Sequence, residues 1–176
     1  ERAVNGFGEH LGNPLRLRRP LDAGVRVVVA HCASLGSGHG DVAGAAELTN
    51  FALFAQLMDD QRYEGRLFGD ISAITQFNRM EVIASLLARR DWHTRLLNGS
   101  DYPLPGVVPL VSLQGLVDAQ LLDATAVKPL SRLRDSNVLL FDFVLKRSLR
   151  KNGQGFAAPV FETAPFFTQP AGSAAR

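Results

Sequence analysis

The sequence predicts an α/β fold with parallel strands. Short apolar runs alternate along the chain with longer segments in which apolar residues recur at helical spacing. The short runs are almost continuously apolar, which is typical of parallel strands covered on both faces. Strands that alternate with helices favour right-handed βαβ crossovers and therefore a parallel sheet.

The first strand is predicted over residues 25–30, a β-branched apolar run. Asn13-Pro14 and Arg19-Pro20 precede it, and each proline biases the residue before it away from the helical region. We therefore expect a loop with one short helix at the start of the chain. The clearest helix is predicted from residue 41 to about residue 62, where apolar residues recur at helical spacing.

The same alternation continues through the rest of the chain. A second strand is predicted over residues 66–71 and a third over 94–99, with a helix over 80–90 between them. Two further helices are predicted over residues 113–122 and 138–149, and together they form a helical extension after the last strand.

The tail beyond Phe156 is rich in Ala, Pro and Phe. Residues 160–163 are predicted to form a docked extended segment, and the last few residues to be disordered. We expect residues 1–176 to be part of a single domain.

The composition is that of an ordinary soluble domain, with 46% hydrophobic and 20% charged residues among 176. A net charge of +2 without a dense Lys/Arg stripe argues against nucleic-acid binding. The single cysteine, Cys32, excludes an internal disulfide framework and is compatible with a cytoplasmic protein. No apolar stretch reaches the roughly 18 residues that a membrane span requires, so we expect no membrane association.

His31 and Asp101 are the strongest candidates for chemistry, because each directly follows a predicted strand. The carboxyl ends of parallel strands open on one face, and we expect both side chains to point to it. Imidazole nitrogen and carboxylate oxygen are suitable ligands for a divalent metal such as zinc. A metal there would lower the pKa of a water molecule toward about 7, and the carboxylate could take its proton. Both residues could equally be loop caps with no catalytic role.

Three further residues are candidates for substrate binding. Asp70 ends the second predicted strand, and it either contacts substrate or caps the following loop. Arg79 pairs either with a substrate carboxylate or with a surface acid. His39 lies in the glycine-rich segment 36–40, which we interpret as a flexible active-site loop; His39 contacts substrate there or is simply exposed. The segment also suggests a phosphate-binding loop, but it lacks the spacing of a nucleotide-binding motif.

Residues 28–34, 69–73 and 97–103 together resemble the last three strands of the amidohydrolase superfamily barrel. Residues 137–147 and 160–163 are similar to the terminal helix and tail of its bacterial members. The resemblance implies that the chain is the C-terminal part of a (β/α)8 TIM barrel, with parallel strands and a C-terminal helical extension.

By this resemblance His31, after the sixth barrel strand, binds or faces a divalent metal, for which zinc is the expected ion. Asp101, after the eighth strand, is a metal ligand and a proton shuttle. The implied activity is metal-dependent hydrolysis of a small-molecule substrate, in which activated water attacks a carbonyl-type carbon. Non-oxidative decarboxylation on the same barrel is an alternative. So is a noncatalytic half-barrel fragment, or a nucleotide-binding α/β module that uses the glycine segment.

The chain also departs from this family. The family's metal centre needs paired histidines from the first strand and ligands from the fourth and fifth strands, and the sequence contains no His-x-His. An eight-stranded barrel usually takes about 250 residues. We therefore expect a fragment that is inactive alone. It would be completed by the missing half-barrel, or assembled as a homo-oligomer.

Overall fold

The computed structural model describes residues 12–40 and 46–168. The chain divides into two compact units by its internal contacts. The first unit comprises Glu1–Asp70 with Thr163–Arg176, and the second comprises Ile71–Glu162.

The first unit combines short strands with helices. Its elements before Asp70 are, in chain order, a 3-10 helix Pro14–Leu17, α1 Arg18–Asp22, β1 Val27–Val29, a 3-10 helix Ala30–Ala33, β2 Ser37–His39, β3 Glu47–Thr49, α2 Asn50–Asp59, a 3-10 helix Gln61–Tyr63 and β4 Leu67–Asp70.

Strands β1 and β4 pair in parallel, as the sequence predicts. Val27 is opposite Leu67 and Val29 is opposite Gly69, so both strands end at the same edge. The strand predicted over residues 25–30 is shorter than expected, because the chain turns into a 3-10 helix at Ala30.

The predicted helix over residues 41–62 is wrong in its first part. Residues 41–45 lie outside the described residues, and Glu47–Thr49 forms β3, which pairs antiparallel with β2. Helix α2 begins only at Asn50, where the Thr49 hydroxyl accepts a hydrogen bond from the Ala52 amide at 3.1 Å and caps the helix. The buried side of α2 carries Leu53, Phe54, Leu57 and Met58.

The second unit is mainly helical. Its elements are a 3-10 helix Met80–Val82, α3 Ile83–Ala88, a 3-10 helix Arg90–Arg95, β5 Leu96–Leu97, a 3-10 helix Leu104–Gly106, α4 Leu113–Asp118, a 3-10 helix Ala124–Ala126, α5 Val127–Ser136, α6 Val138–Ser148 and a 3-10 helix Ala158–Phe161.

Strand β5 is reduced to two residues by the 3-10 helix before it, so most of the strand predicted over residues 94–99 is absent. Its neighbours within the second unit hold it on both sides. The Ile71 amide donates to the Leu97 carbonyl at 2.9 Å, and the Asn98 amide donates to the Val160 carbonyl at 2.8 Å. The segment around Val160 is therefore docked as predicted, but it is a 3-10 helix rather than extended.

The first unit also includes helix α7, Ala164–Thr168. The Phe166 ring contacts the Phe68 ring edge-on at 4.8 Å between centroids, and the Arg26 guanidinium lies 5.0 Å from the Phe166 centroid. Residues beyond 168, which were predicted to be disordered, lie outside the described residues.

The α/β class with parallel strands is confirmed by β1 and β4. The strands within residues 12–40 and 46–168 do not form a closed barrel, so membership of a (β/α)8 barrel stays a prediction. Within the same residues, none of the helices has the length and apolar character that crossing a membrane requires.

Candidate functional site

Left-handed backbone occurs after strands β1, β4 and β5, and also away from strands at Gln120 and Asn152. His31, Cys32 and Ala33 follow β1 with φ of 55°, 51° and 51°, and Ala73 follows β4 with φ of 54°. Asp101, four residues after β5, has φ of 57°. A residue with a Cβ in this left-handed region costs on the order of 1 kcal/mol or more, and such residues concentrate at functional sites. The strain therefore marks two of the residues that the sequence singles out.

His31 and Asp70 lie together in the first unit. The His31 side chain is buried, and its backbone amide donates to Asp70 Oδ1 at 3.0 Å. His31 Nδ1 is 3.8 Å from the same oxygen. Because β1 and β4 are paired and end at the same edge, the residue after one strand meets the last residue of the other. Asp70 thus has a role beyond capping its own loop, since its carboxylate binds the turn that carries His31.

Cys32 is a fully buried free thiol next to His31 in the chain. Its Sγ donates to the Asp70 carbonyl oxygen at 3.1 Å. Burial, together with the nearby Asp70 charge, raises the pKa of this thiol well above its ordinary value. Since the thiolate is the reactive form of cysteine, this shift disfavours a nucleophilic role for Cys32.

Asp101 lies in the second unit and is half-buried. Its backbone carbonyl accepts from the Leu104 amide at 3.0 Å, and its Oδ2 lies 3.5 Å from Gln76 Nε2. Gln76 is itself buried, at 7% exposure, and its side chain is aimed at the carboxylate. Sequence reasoning missed Gln76, because its contact with Asp101 joins segments 25 residues apart.

His31 and Asp101 belong to different units, so the prediction that their side chains meet at one mouth stays a prediction.

The sequence analysis also missed a buried ion pair that contacts the turn carrying Asp101. Lys146 and Asp142, one turn apart on α6, are 0% and 2% exposed, and Lys146 Nζ donates to Asp142 Oδ2 at 2.7 Å. The same ammonium donates to the Gly99 carbonyl at 2.5 Å. Burial raises the pKa of Asp142, against the opposing effect of Lys146. The i,i+4 spacing of two opposite charges within an apolar helix was the signal available in the sequence.

Arg79 is buried in the second unit, at 6% exposure. Its backbone amide donates to the Gln76 carbonyl at 2.9 Å, which places it one turn from the residue that contacts Asp101. The surface role considered for Arg79 is inconsistent with this burial, whereas its role toward a substrate stays a prediction.

The glycine-rich segment that contains His39 is not a loop, contrary to our interpretation. Ser37–His39 forms β2, and the exposed His39 accepts through its carbonyl a hydrogen bond from Asn13 Nδ2 at 2.8 Å. Gly36 has φ of 85°, and a Cβ there would lie 2.9 Å from Asn50 Nδ2. The glycine is thus required by backbone conformation and close packing. A phosphate-binding loop would instead be an open turn leading directly into a helix.

A cleft of 450 Å³ opens in the second unit. Its walls are mostly apolar, with Glu81 and Lys151 as the charged lining residues. None of the five residues predicted for the site lines it.

The side chains of His31 and Asp101 are of types that bind divalent metals, but two ligands are fewer than a metal site usually has. Neutral imidazole and carboxylate are accepted zinc ligands, and zinc sites generally have three or four protein ligands. Among residues 12–40 and 46–168, no group of three or more His, Cys, Asp or Glu side chains is arranged to hold a metal ion. A metal bound by His31 or Asp101 would therefore need ligands that these residues do not supply.

Comparison with known proteins identifies no relative: no family model, no curated protein and no solved structure matches the chain.

Proposed function

We propose that this chain supplies His31 and Asp101 to the metal site of an amidohydrolase-type hydrolase built on a (β/α)8 barrel. The observation that carries the proposal is the placement of His31, a buried histidine in left-handed backbone at the end of a parallel strand, with the Asp70 carboxylate beside it.

The His31–Asp70 arrangement supports a ligand role. A metal-binding histidine usually directs its second ring nitrogen toward a carboxylate, which selects the tautomer and the ring orientation. His31 Nδ1 is 3.8 Å from Asp70 Oδ1. If Nδ1 carries the proton, Nε2 carries the lone pair that a metal requires. Asp70 would then orient His31 rather than bind substrate directly.

Asp101 supports the acid–base part of the proposal. A carboxylate that is half-buried, with an amide donor near one oxygen, can accept a proton through the other oxygen. We assign Asp101 the removal of a proton from the attacking water and its return to the leaving group. A bound divalent metal, for which zinc is the first choice, would supply Lewis-acid activation of the water and the substrate carbonyl.

Metal affinity of the full-length protein tests this proposal, with zinc alone as the probe. His31→Asn and Asp101→Asn remove the candidate ligands, and asparagine tolerates left-handed backbone. We expect each to weaken zinc binding at least about tenfold, measured by calorimetry or by competition with a chelating dye.

Two matched variants serve as controls. His39→Asn and Asp135→Asn remove an exposed histidine and an exposed aspartate, and we expect both to retain wild-type affinity. Unchanged zinc affinity in both ligand variants, or no zinc binding by the wild-type protein, would contradict the proposal.

A further inference from the structure

Lys146 is the most unusual charged residue of the second unit, because it is completely buried on α6. Its ammonium group has two oxygen acceptors, Asp142 Oδ2 at 2.7 Å and the Gly99 carbonyl at 2.5 Å. The first contact lies within α6, whereas the second spans 47 residues and reaches the turn after β5. The pair therefore links a helix to the segment that carries Asp101.

Stability does not explain why an ion pair occupies this position. Transferring both charges from water costs several kcal/mol each, and apolar residues of similar size often serve equally well or better. An ion pair with i,i+4 spacing could also form on an exposed helix face at no such cost. What apolar residues cannot supply is a donor for the Gly99 carbonyl, which lies two residues before Asp101.

Several contacts hold the turn around Asp101, among them the one from Gln76 Nε2 to Asp101 Oδ2 and the one from the Tyr102 amide to the Ser100 hydroxyl. The Asn98 amide donates to Val160, Lys146 donates to Gly99, and the Leu104 amide donates to the Asp101 carbonyl. Left-handed backbone at Asp101 persists only where surrounding contacts overdetermine it. Of these contacts, only the one from Lys146 has a charged donor, and hydrogen bonds with an ionised donor are stronger than those between neutral groups.

We propose that Lys146, with Asp142 as its counter-ion, is a positioning residue that holds the Gly99 carbonyl and thereby fixes the backbone of the Asp101 turn. The relevance of this turn to metal binding rests on the proposed function. The positioning itself does not depend on it.

The decisive variant replaces both charges. Asp142→Leu with Lys146→Met leaves no unpaired buried charge, so we expect the full-length protein to fold with near wild-type thermal stability. Hydrogen exchange measured by mass spectrometry should then accelerate about tenfold or more in peptides spanning residues 98–104, the loss expected for one charged hydrogen bond. Peptides covering α3 and α4 should exchange at the wild-type rate, whereas a purely structural role would raise exchange across the whole unit.

Two further variants complete the comparison. Lys151→Met removes another lysine that donates to a backbone carbonyl, that of Ala119 at 3.0 Å, and it should leave residues 98–104 protected. Lys146→Arg keeps the positive charge and the hydrogen-bond donors, so residues 98–104 should retain most of their wild-type protection from exchange. If the double variant does not fold, Asp142→Asn with Lys146→Gln replaces it, because the two amides can pair with each other without a buried charge and the shorter glutamine side chain does not reach Gly99.

Zinc affinity, measured on the same variants, separates this inference from the proposed function. Faster exchange at residues 98–104 together with weaker zinc binding supports both the positioning role of Lys146 and the proposed metal site. Faster local exchange in a protein that binds no zinc supports the positioning role and refutes the metal site. Unchanged exchange at residues 98–104 in the charge-free variant overturns the positioning role, whatever the zinc affinity.

Discussion

Acidification should destabilise the second unit through His93. This histidine is 2% exposed, and both ring nitrogens are engaged. Nδ1 accepts from the Ala157 amide at 3.1 Å, so the proton must be on Nε2, which lies 3.0 Å from the Leu86 carbonyl. Protonation of Nδ1 would break the bond from Ala157 and place a charge in the core. Burial accordingly lowers the pKa of His93 from its ordinary 6.5.

The direction of the pH effect follows from linkage. Since the folded pKa is lowered, the unfolded chain takes up a proton first as the pH falls. Stability is complete above the unfolded pKa of 6.5 and declines below it, until the folded pKa is reached. For one group that stays neutral in the folded state, the loss at pH 5.5 is at most about 1.4 kcal/mol.

Urea unfolding at pH 7.5 and pH 5.5 measures this loss. Trp92, the only tryptophan and 1% exposed, reports unfolding by its fluorescence. His93→Gln retains an amide donor and acceptor but does not titrate, so its stability deficit relative to wild type should shrink on acidification by up to about 1.4 kcal/mol. An equal deficit of the His93 variant at both pH values would refute the reasoning.

Two substitutions test the start of α6. A Cβ on Gly106 would lie 2.9 Å from Val138 Cγ2, so Gly106→Ala should lower the free energy of unfolding by about 1–3 kcal/mol. Adding Val138→Ala should recover most of this loss, because it removes the clashing methyl groups. If thermal unfolding shows no such recovery, the contact is contradicted. The Asn137 side chain caps α6, because it accepts a hydrogen bond from the Leu140 amide at 2.9 Å. In urea unfolding, Asn137→Ala should lower the free energy of unfolding by about 1 kcal/mol, whereas Asn137→Ser should change it little. Equal losses in the two variants would argue against the cap.

Elements that bury an apolar pattern were predictable. The strands ending at Val29 and Asp70 are confirmed where the sequence has short, almost continuous apolar runs, and the helix Val138–Ser148 is confirmed where apolar residues recur at helical spacing. Helix α5 was missed because its apolar residues Val127, Leu130 and Leu133 form only a short stripe among charged residues and a proline, and only Leu130 is buried. Strand β3 was missed because all three of its residues are exposed, and only pairing with β2 makes it a strand.

In the candidate site, too, residues placed by local order were predictable from the sequence, and residues placed by long-range contacts were not. His31, Asp70 and Asp101 were identifiable because their positions depend on local order, a polar residue at or after a strand end. Gln76 and Lys146 were not, because their contacts with the Asp101 turn span 25 and 47 residues. The sequence contains both residues, but the pairing that gives them a role is made only by the folded chain.

The strained residues at the strand ends are not all of one kind. Ala33 and Ala73 carry only a methyl group, so a glycine would relieve their strain at little chemical loss. At these positions the strain is explained by backbone shape alone. Glycine at His31 or Asp101 would relieve the same strain but would remove an imidazole or a carboxylate. The left-handed backbone at these two positions thus carries side chains that glycine cannot replace.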